Sequence, residues 1–209
     1  MIHIAIDGPA ASGKTSLAHA LARRFGCLLV ETGKMYRAVA LGVERGFTLD
    51  QIEITADHNG HTMLNGEDVS SLLQTPALDQ ASSKIATRPE VRERLVTLQQ
   101  QIAAQRDVVM EGRDIGTVVL PHATVKLFLE ASPQERAARR AGERDGAEFS
   151  AILTDIIARD LRDSTRAIAP LNPAIDAIII DTDQKSLVEV ICEAIDLVEV
   201  RLGGHRSSD

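Results

Sequence analysis

The sequence predicts an α/β fold built on a parallel sheet, and three observations point there. Short apolar runs alternate with amphipathic helical stretches along most of the 209 residues, the pattern of a sheet covered by helices on its faces. The first run, residues 2–6, stops at Asp7-Gly8 and leads into a glycine-containing segment and a helical pattern. Apolar residues make up 44% and charged residues 25%, which is ordinary for a globular chain and excludes a disordered or fibrous one. A chain of this length builds one core without covalent staples.

The elements follow in order. Residues 2–6 read as a strand buried on both faces. Residues 14–25 place Leu17, Ala18, Leu21, Ala22 and Phe25 at helical spacing, and Gly26 ends the helix. Residues 28–30 form a second strand and residues 35–43 a helix, with Gly46 after it. The polar stretch 48–75 carries Asn59-Gly60 and Asn65-Gly66. Such steps between short apolar runs mark hairpins, so a small β insertion is expected outside the main sheet. Pro76 and Pro89 can each open a helix. Residues 90–105 fit one, with Val91, Leu95, Leu98 and Ile102 on one face. Residues 108–110 and 124–129 are strands, and a helix runs from Pro133 to about Arg144. Ile152, Leu153, Ile156, Ile157 and Leu161 mark a further helix. Residues 177–180 are a last strand, 187–202 a closing helix, and 203–209 a frayed tail.

Composition narrows the partners. The formal net charge is −7, which argues against duplex nucleic acid, because phosphate neutralisation dominates that binding. One Tyr, four Phe and no Trp leave no stacking platform for single strands. Cys27 and Cys192 have no metal spacing and apolar neighbours. They are expected to be buried free thiols in a reducing compartment. The opening residues lack a charged-then-apolar leader, and the apolar run 177–180 is too short to cross a bilayer. A cytoplasmic protein without a membrane partner is expected.

The first chemical signal is Gly8-Pro9-Ala10-Ala11-Ser12-Gly13-Lys14-Thr15, an ungapped G-x-x-x-x-G-K-[ST] between a strand and a helix. Glycines let the backbone curl so that successive N–H groups aim at anionic oxygens, and the new helix, running through Ser16, adds its positive end. Lys14 reaches the β- and γ-phosphates of a nucleotide, and the Thr15 hydroxyl is the candidate Mg²⁺ ligand.

The second signal is arginine usage. There are 18 Arg and 5 Lys, and seven of the Arg fall within residues 136–166, which hold no Lys. Seven acids share the stretch from Glu135 onward, so it is no basic patch. Guanidinium forks hold phosphate bidentately and stay charged. Arg139, Arg159 and Arg166 are the candidates for facing inward, with Asp163 one turn from each of the last two. Arg140 and Arg162 are expected on a solvated, ion-paired surface. Arg37, after Thr32-Gly33-Lys34-Met35-Tyr36, and Arg113-Asp114, after Glu111-Gly112, follow predicted strands. Ligands bind beyond the carboxyl ends of such strands. Tyr36 fits equally as a packing residue behind the site or as a contact.

The phosphate loop, Thr32-Gly33-x-x-Tyr36-Arg37, Gly112-Arg113-Asp114-Ile115-Gly116-Thr117-Val118-Val119 and Arg159-Asp160-x-x-Asp163-x-x-Arg166-x-x-x-Pro170-Leu171 stand in this order. With Ile6-Asp7-Gly8-Pro9 and Ile180-Asp181-Thr182, the chain resembles the bacterial cytidylate kinases over roughly residues 2–200. The resemblance implies a P-loop core with a five-stranded parallel sheet (residues 1–47, 81–135 and 167–209), a β-containing nucleotide-monophosphate insertion (48–80) and a helical lid (136–166). It implies transfer of the γ-phosphoryl of ATP to CMP or dCMP, with Mg²⁺. By position, Thr32 lies near the acceptor nucleotide, and Arg37, Arg113 and Arg166 hold its phosphate. Ser83, Arg92 and Asp114 read cytosine, while Arg159 and Asp163 face the sugar. Lys14 and lid arginines, Arg139 among them, spread the transferring charge. Lys34 stands where relatives often have a small residue. The insertion is shorter than usual for the family.

Three alternatives are weighed, of which an inactive nucleotide-binding protein finds no support in the intact Lys14, Thr15 and arginine set. Another small-molecule kinase on the same core lacks the β insertion and the Gly-Arg-Asp segment. A GTP-binding switch protein needs an Asn-Lys-x-Asp segment, which does not occur; Asp57-His58-Asn59-Gly60 resembles a D-x-x-G but follows no core strand. A monomer suffices for the chemistry.

Overall fold

The computed structural model describes residues 1–57, 60–142 and 148–206. Its main sheet contains β1 (His3–Asp7), β2 (Leu28–Glu31), β6 (Val108–Gly112), β7 (Val125–Glu130) and β8 (Ile178–Asp181). All four pairings are parallel, in the order β2-β6-β1-β7-β8. Helices α1 (Lys14–Phe25), α2 (Thr32–Glu44), α3 (Pro76–Ile85), α4 (Pro89–Ala103), α5 (Pro133–Gly142), α6 (Phe149–Thr165) and α7 (Leu187–Arg206) complete the frame.

Side chains of a strand alternate between faces, and the alternation divides the core in two. Ile4 and Ile6 of β1 join Val109, Leu127, Leu129 and Ile180 against Leu17 and Leu21 of α1 and Val190, Ala194 and Val198 of α7. Ala5, Val108 and Met110 point the other way, against Met35 and Val39 of α2 and Val91 and Leu95 of α4. A sheet covered on both faces explains why its strands are apolar runs rather than alternating ones. Each fully buried Leu or Ile contributes about 1.5–3 kcal/mol.

The expected β insertion is an antiparallel sheet of β3 (Ile54–Ala56), β4 (Thr62–Leu64) and β5 (Glu67–Asp68). Asn65 and Gly66 connect β4 to β5 with φ of 49° and 83°. Two consecutive left-handed residues are what a two-residue type I′ hairpin loop demands. Its apolar face, Ile52, Leu64, Val69 and Leu73, joins the α2 side of the core. The other expected step begins at Asn59, and the end of the Pro133 helix at Arg144; both residues lie outside the described ones, as do His58, Asn59 and the last residues of the tail.

One turn has no sequence signal. Residues Ile115–Val119 form a π-helical turn after β6. The cysteine expectation fails for one residue: Cys27 is half-buried, but Cys192 is exposed. The buried stripe of α7 runs through Val190, Ala194 and Val198, and helical spacing puts Cys192 on the opposite side. Among the described residues no helix is long and apolar enough to cross a membrane.

Candidate active site

The carboxyl ends of β1, β6 and β2 adjoin one another, with Ile6 opposite Glu111, Asp7 opposite Gly112 and Glu31 opposite Glu111. The loops that leave these ends carry the predicted motifs, so the sheet itself assembles the site. Gly8 turns the chain at φ 146°; a Cβ there would lie 2.4 Å from the carbonyl oxygen of Leu129 on β7. Only glycine lets the loop start that close to the sheet. Ala11 and Gly13 take φ of 61° and 90°, and Pro9, Ala10 and Ser12 complete the curl into α1. No side chain caps the α1 N-terminus, which leaves its first N–H groups for an anion.

Lys14 is buried, and its Nζ donates to Pro9 O at 2.5 Å and to Ser12 Oγ at 3.3 Å. Burial, followed by the charge of Arg113, pushes its ammonium well below the ordinary lysine value, while Glu111 and Asp7 oppose the shift. A phosphate placed there would favour the charged form. Thr15 Oγ1 donates to Glu111 Oε1 at 3.1 Å, and Thr32 Oγ1 donates to Glu111 O at 2.8 Å. Thr15 and Ser16 are exposed at the loop's mouth, while Thr32 is buried. Asp7 accepts from the N–H groups of Ile115 and Gly116 at 2.8 and 2.7 Å. That fixes the π-helical turn to β1. Burial raises the Asp7 carboxyl to about 6, against those two hydrogen bonds.

Among the described residues, six arginines and three aspartates form a network beside the loop. Arg37 of α2 donates through Nε and Nη2 to Asp79 Oδ1 of α3 at 2.9 and 2.7 Å. Arg140 of α5 donates to Asp79 Oδ2, and Arg159 Nη1 of α6 lies 3.8 Å from Oδ1. Arg113 donates to Asp163 Oδ2 at 2.9 Å, with Arg159 Nε 3.9 Å from the same oxygen. Arg92 of α4 donates to Asp114 Oδ2, and Arg166 Nη2 reaches Asp114 Oδ1 at 3.3 Å. The Arg92 guanidinium also lies 5.9 Å from the centroid of the Tyr36 ring, so Tyr36 backs a cation rather than standing alone. Burial, then Arg113, pulls Arg159 down to about 10. Burial opposes the ionised form of Asp79 and Asp163, yet the surrounding guanidinia hold both carboxyls below the usual range.

The structure thus brings together Lys14, Arg37, Arg92, Arg113, Asp114, Arg159, Asp163 and Arg166. Ser83 is buried at its edge, accepting from Arg162 Nε at 3.3 Å. Three lid expectations are corrected. Arg139 does not face the other arginines: it donates to Thr182 Oγ1 at 3.0 Å and Thr182 O at 2.5 Å, beyond β8. Arg140, expected on the surface, turns inward to Asp79, because the 100° step between neighbours on α5 sends them to different elements. Arg162 also leaves the bland surface to reach Ser83. Lys34 pairs with Glu31. Sequence reasoning passed over Asp7, Asp79, Glu111 and Arg136. Arg136 is buried and forks onto Asp160 at 3.0 and 2.5 Å, while donating to Ala10 O of the phosphate loop at 3.2 Å. Glu111 had an available signal, since it closes a strand just before Gly-Arg-Asp. Asp79 had none beyond its place in the first turn of a helix.

The profile of the family described as cytidylate kinase matches residues 4–200. The chain belongs to the cytidylate kinase family. It is 44% identical over 220 residues to a cytidylate kinase of Mycobacterium leprae (strain Br4923), with 97% of each chain covered. It is 45% identical over 227 residues to a cytidylate kinase of Desulfitobacterium hafniense (strain Y51), covering 100% of this chain and 98% of that one. The protein is therefore an enzyme, a kinase of the P-loop class. Among solved structures it is similar to a gluconokinase from Sinorhizobium meliloti 1021, at a TM-score of 0.57 and 14% identity, with 100% of this chain and 98% of that one covered. That likeness concerns the fold alone.

Proposed function

We propose that the protein transfers the γ-phosphoryl group of ATP to CMP or dCMP, giving ADP and CDP or dCDP. The observation that carries this reading is the phosphate loop beside a buried network of guanidinia and Lys14, with more cations than carboxylates. Phosphoryl transfer asks for positioning and charge stabilisation rather than covalent chemistry, and this arrangement supplies both. The loop of residues 8–16 holds the ATP phosphates, with Lys14 on the transferring group. Arg37, Arg113 and Arg166 hold the acceptor phosphate and aim its oxygen. Ser83, Arg92 and Asp114 read cytosine: the carboxylate accepts from the amino group of the base, and a uracil would present an oxygen instead. Thr32, Arg159 and Asp163 line the acceptor nucleotide. Thr15 and Glu111 present oxygens 3.1 Å apart, a donor set that fits a hard cation. When bound there, Mg²⁺ would neutralise charge on the β- and γ-phosphates. Arg139 drops out of the catalytic set in favour of Arg140.

Residues 48–80 are the acceptor-side insertion and residues 136–166 the lid, closing over residues 1–47, 81–135 and 167–209. All these groups belong to one chain, so a cytosolic monomer with no membrane or nucleic-acid partner suffices.

The test is ADP production from ATP and Mg²⁺ with CMP, dCMP, UMP, AMP or no acceptor, run in parallel. A strong rise with CMP or dCMP alone is expected. A rise with UMP or AMP refutes the base-reading assignment, and equal rates without acceptor refute the transfer reaction.

A further inference from the structure

The Asp79 carboxylate is the point where three elements meet. Among the described residues, its two oxygens take the Nε and Nη2 donors of Arg37 from α2, a single Nη2 donor of Arg140 from α5 and the near approach of Arg159 from α6. The side chain is only 14% exposed. One carboxylate is a poor match for three guanidinia. A phosphate dianion brings twice the charge and a third oxygen, and guanidinium forks favour it. Arg159 also has an unused donor: its Nε is buried and makes no hydrogen bond. Among the described residues, the six guanidinia of Arg37, Arg92, Arg113, Arg140, Arg159 and Arg166 form their ion pairs with three carboxylates, those of Asp79, Asp114 and Asp163. The surplus charge and the idle donor both call for a further anion at this spot.

We propose that Asp79 is an internal stand-in for the acceptor phosphate. It keeps Arg37, Arg140 and Arg159 gathered when no acceptor is bound, and it competes with the incoming phosphate for the donors of Arg37. Asp79 itself lines a cavity of about 90 Å³, whose other walls include Gln80, Arg140, Asp155, Arg159 and Arg162. The displaced carboxylate can turn into that space. Asp79 is in this sense a positioning and affinity-setting residue. It loosens the acceptor and the product alike, and so keeps release from slowing turnover. This rests on the reading that the acceptor phosphate lies against Arg37.

The experiment measures binding of inorganic phosphate by calorimetry, with the phosphate loop filled by a non-hydrolysable ATP analogue. Wild type, Asp79→Asn, Asp79→Glu and Asp176→Asn are compared, and KM and kcat for CMP are read on the same proteins. Asp79→Asn should bind phosphate about tenfold more tightly, ~1.4 kcal/mol, with a lower KM for CMP and a lower kcat. Asp79→Glu, which keeps the charge, should return close to wild type. Asp176→Asn removes a remote surface carboxylate paired with Lys126 and should change neither constant, which separates the local effect from net charge. Unchanged or weaker phosphate binding by Asp79→Asn overturns the proposal. If Asp79→Asn does not fold, Asp79→Ser replaces it; failure of both makes Asp79 a structural keystone and also overturns the proposal. If wild type does not phosphorylate CMP while Asp79→Asn still binds phosphate more tightly, the stand-in role holds and the acceptor assignment fails.

Discussion

Replacing Arg136 by methionine tests whether the phosphate loop is held from the lid side. Methionine keeps most of the buried volume and removes four hydrogen bonds. These are Nε to Ala131 O at 3.0 Å, Nη1 to Ala10 O at 3.2 Å and the fork on Asp160 at 3.0 and 2.5 Å. The arginine side chain is 3% exposed and its partner 26%. Breaking a buried ion pair from one side costs about 3–5 kcal/mol. Water can still reach Asp160, so the lower end applies, about 3 kcal/mol. For a chain of this size each kcal/mol moves Tm by about 2–4 °C, so scanning calorimetry of the unliganded protein should show a fall of about 6–12 °C. The KM for ATP should rise as well, because Ala10 loses its anchor. A double variant, Arg136→Met with Asp160→Leu, should recover at least about 1 kcal/mol of the summed losses, since no charge is left stranded. A loss below about 1 kcal/mol with an unchanged ATP KM would refute the reasoning and make Arg136 an incidental lid residue.

Three further outcomes are expected. Gly8→Ala should abolish ATP binding, measured by equilibrium dialysis, because its Cβ would sit 2.4 Å from Leu129 O; retained binding would show that the loop start has slack. The carboxyl carbon of Asp7, followed by NMR, should titrate near 6, whereas Asp79 and Asp163 should titrate below 3.8. Because Asp7 is raised, its contribution is fully present below 3.8 and is lost as the pH climbs through about 6, about 3 kcal/mol in all. Asp79 and Asp163 act in the opposite sense, losing their contribution as the pH falls through their depressed values; a shared midpoint for all three would sink this picture. Asp114→Asn should reduce the preference for CMP over UMP in kcat/KM by about 1.5–3 kcal/mol, roughly 10- to 150-fold, the size of one charge-assisted hydrogen bond; an unchanged ratio would move base reading elsewhere.

Much of the frame is written locally. The phosphate loop is contiguous, its glycines answer to backbone geometry, and the helix after it begins at Lys14 as the spacing requires. The main-sheet strands are apolar runs because both faces are covered, and Asn65-Gly66 encodes its own hairpin. Where the reading went wrong, the cause is rotational. Cys192 has apolar neighbours in sequence, yet it falls on the solvent side of α7. Arg139 and Arg140 are adjacent in sequence, yet one meets Thr182 and the other Asp79.

The sequence alone therefore determined the α/β class, the phosphate loop with Lys14 and Thr15, the Asn65-Gly66 turn and the family, because each depends on residues near one another or on ordered motifs. The tertiary structure decided which arginines converge, through contacts far apart in the chain: Arg37 with Asp79 across 42 positions, Arg140 with Asp79 across 61, and Arg136 with Ala10 across 126. The order of the charged residues along the chain does not encode these pairings. They exist because helices α2, α3, α5 and α6 pack their apolar stripes, and that packing sets which charged face meets which.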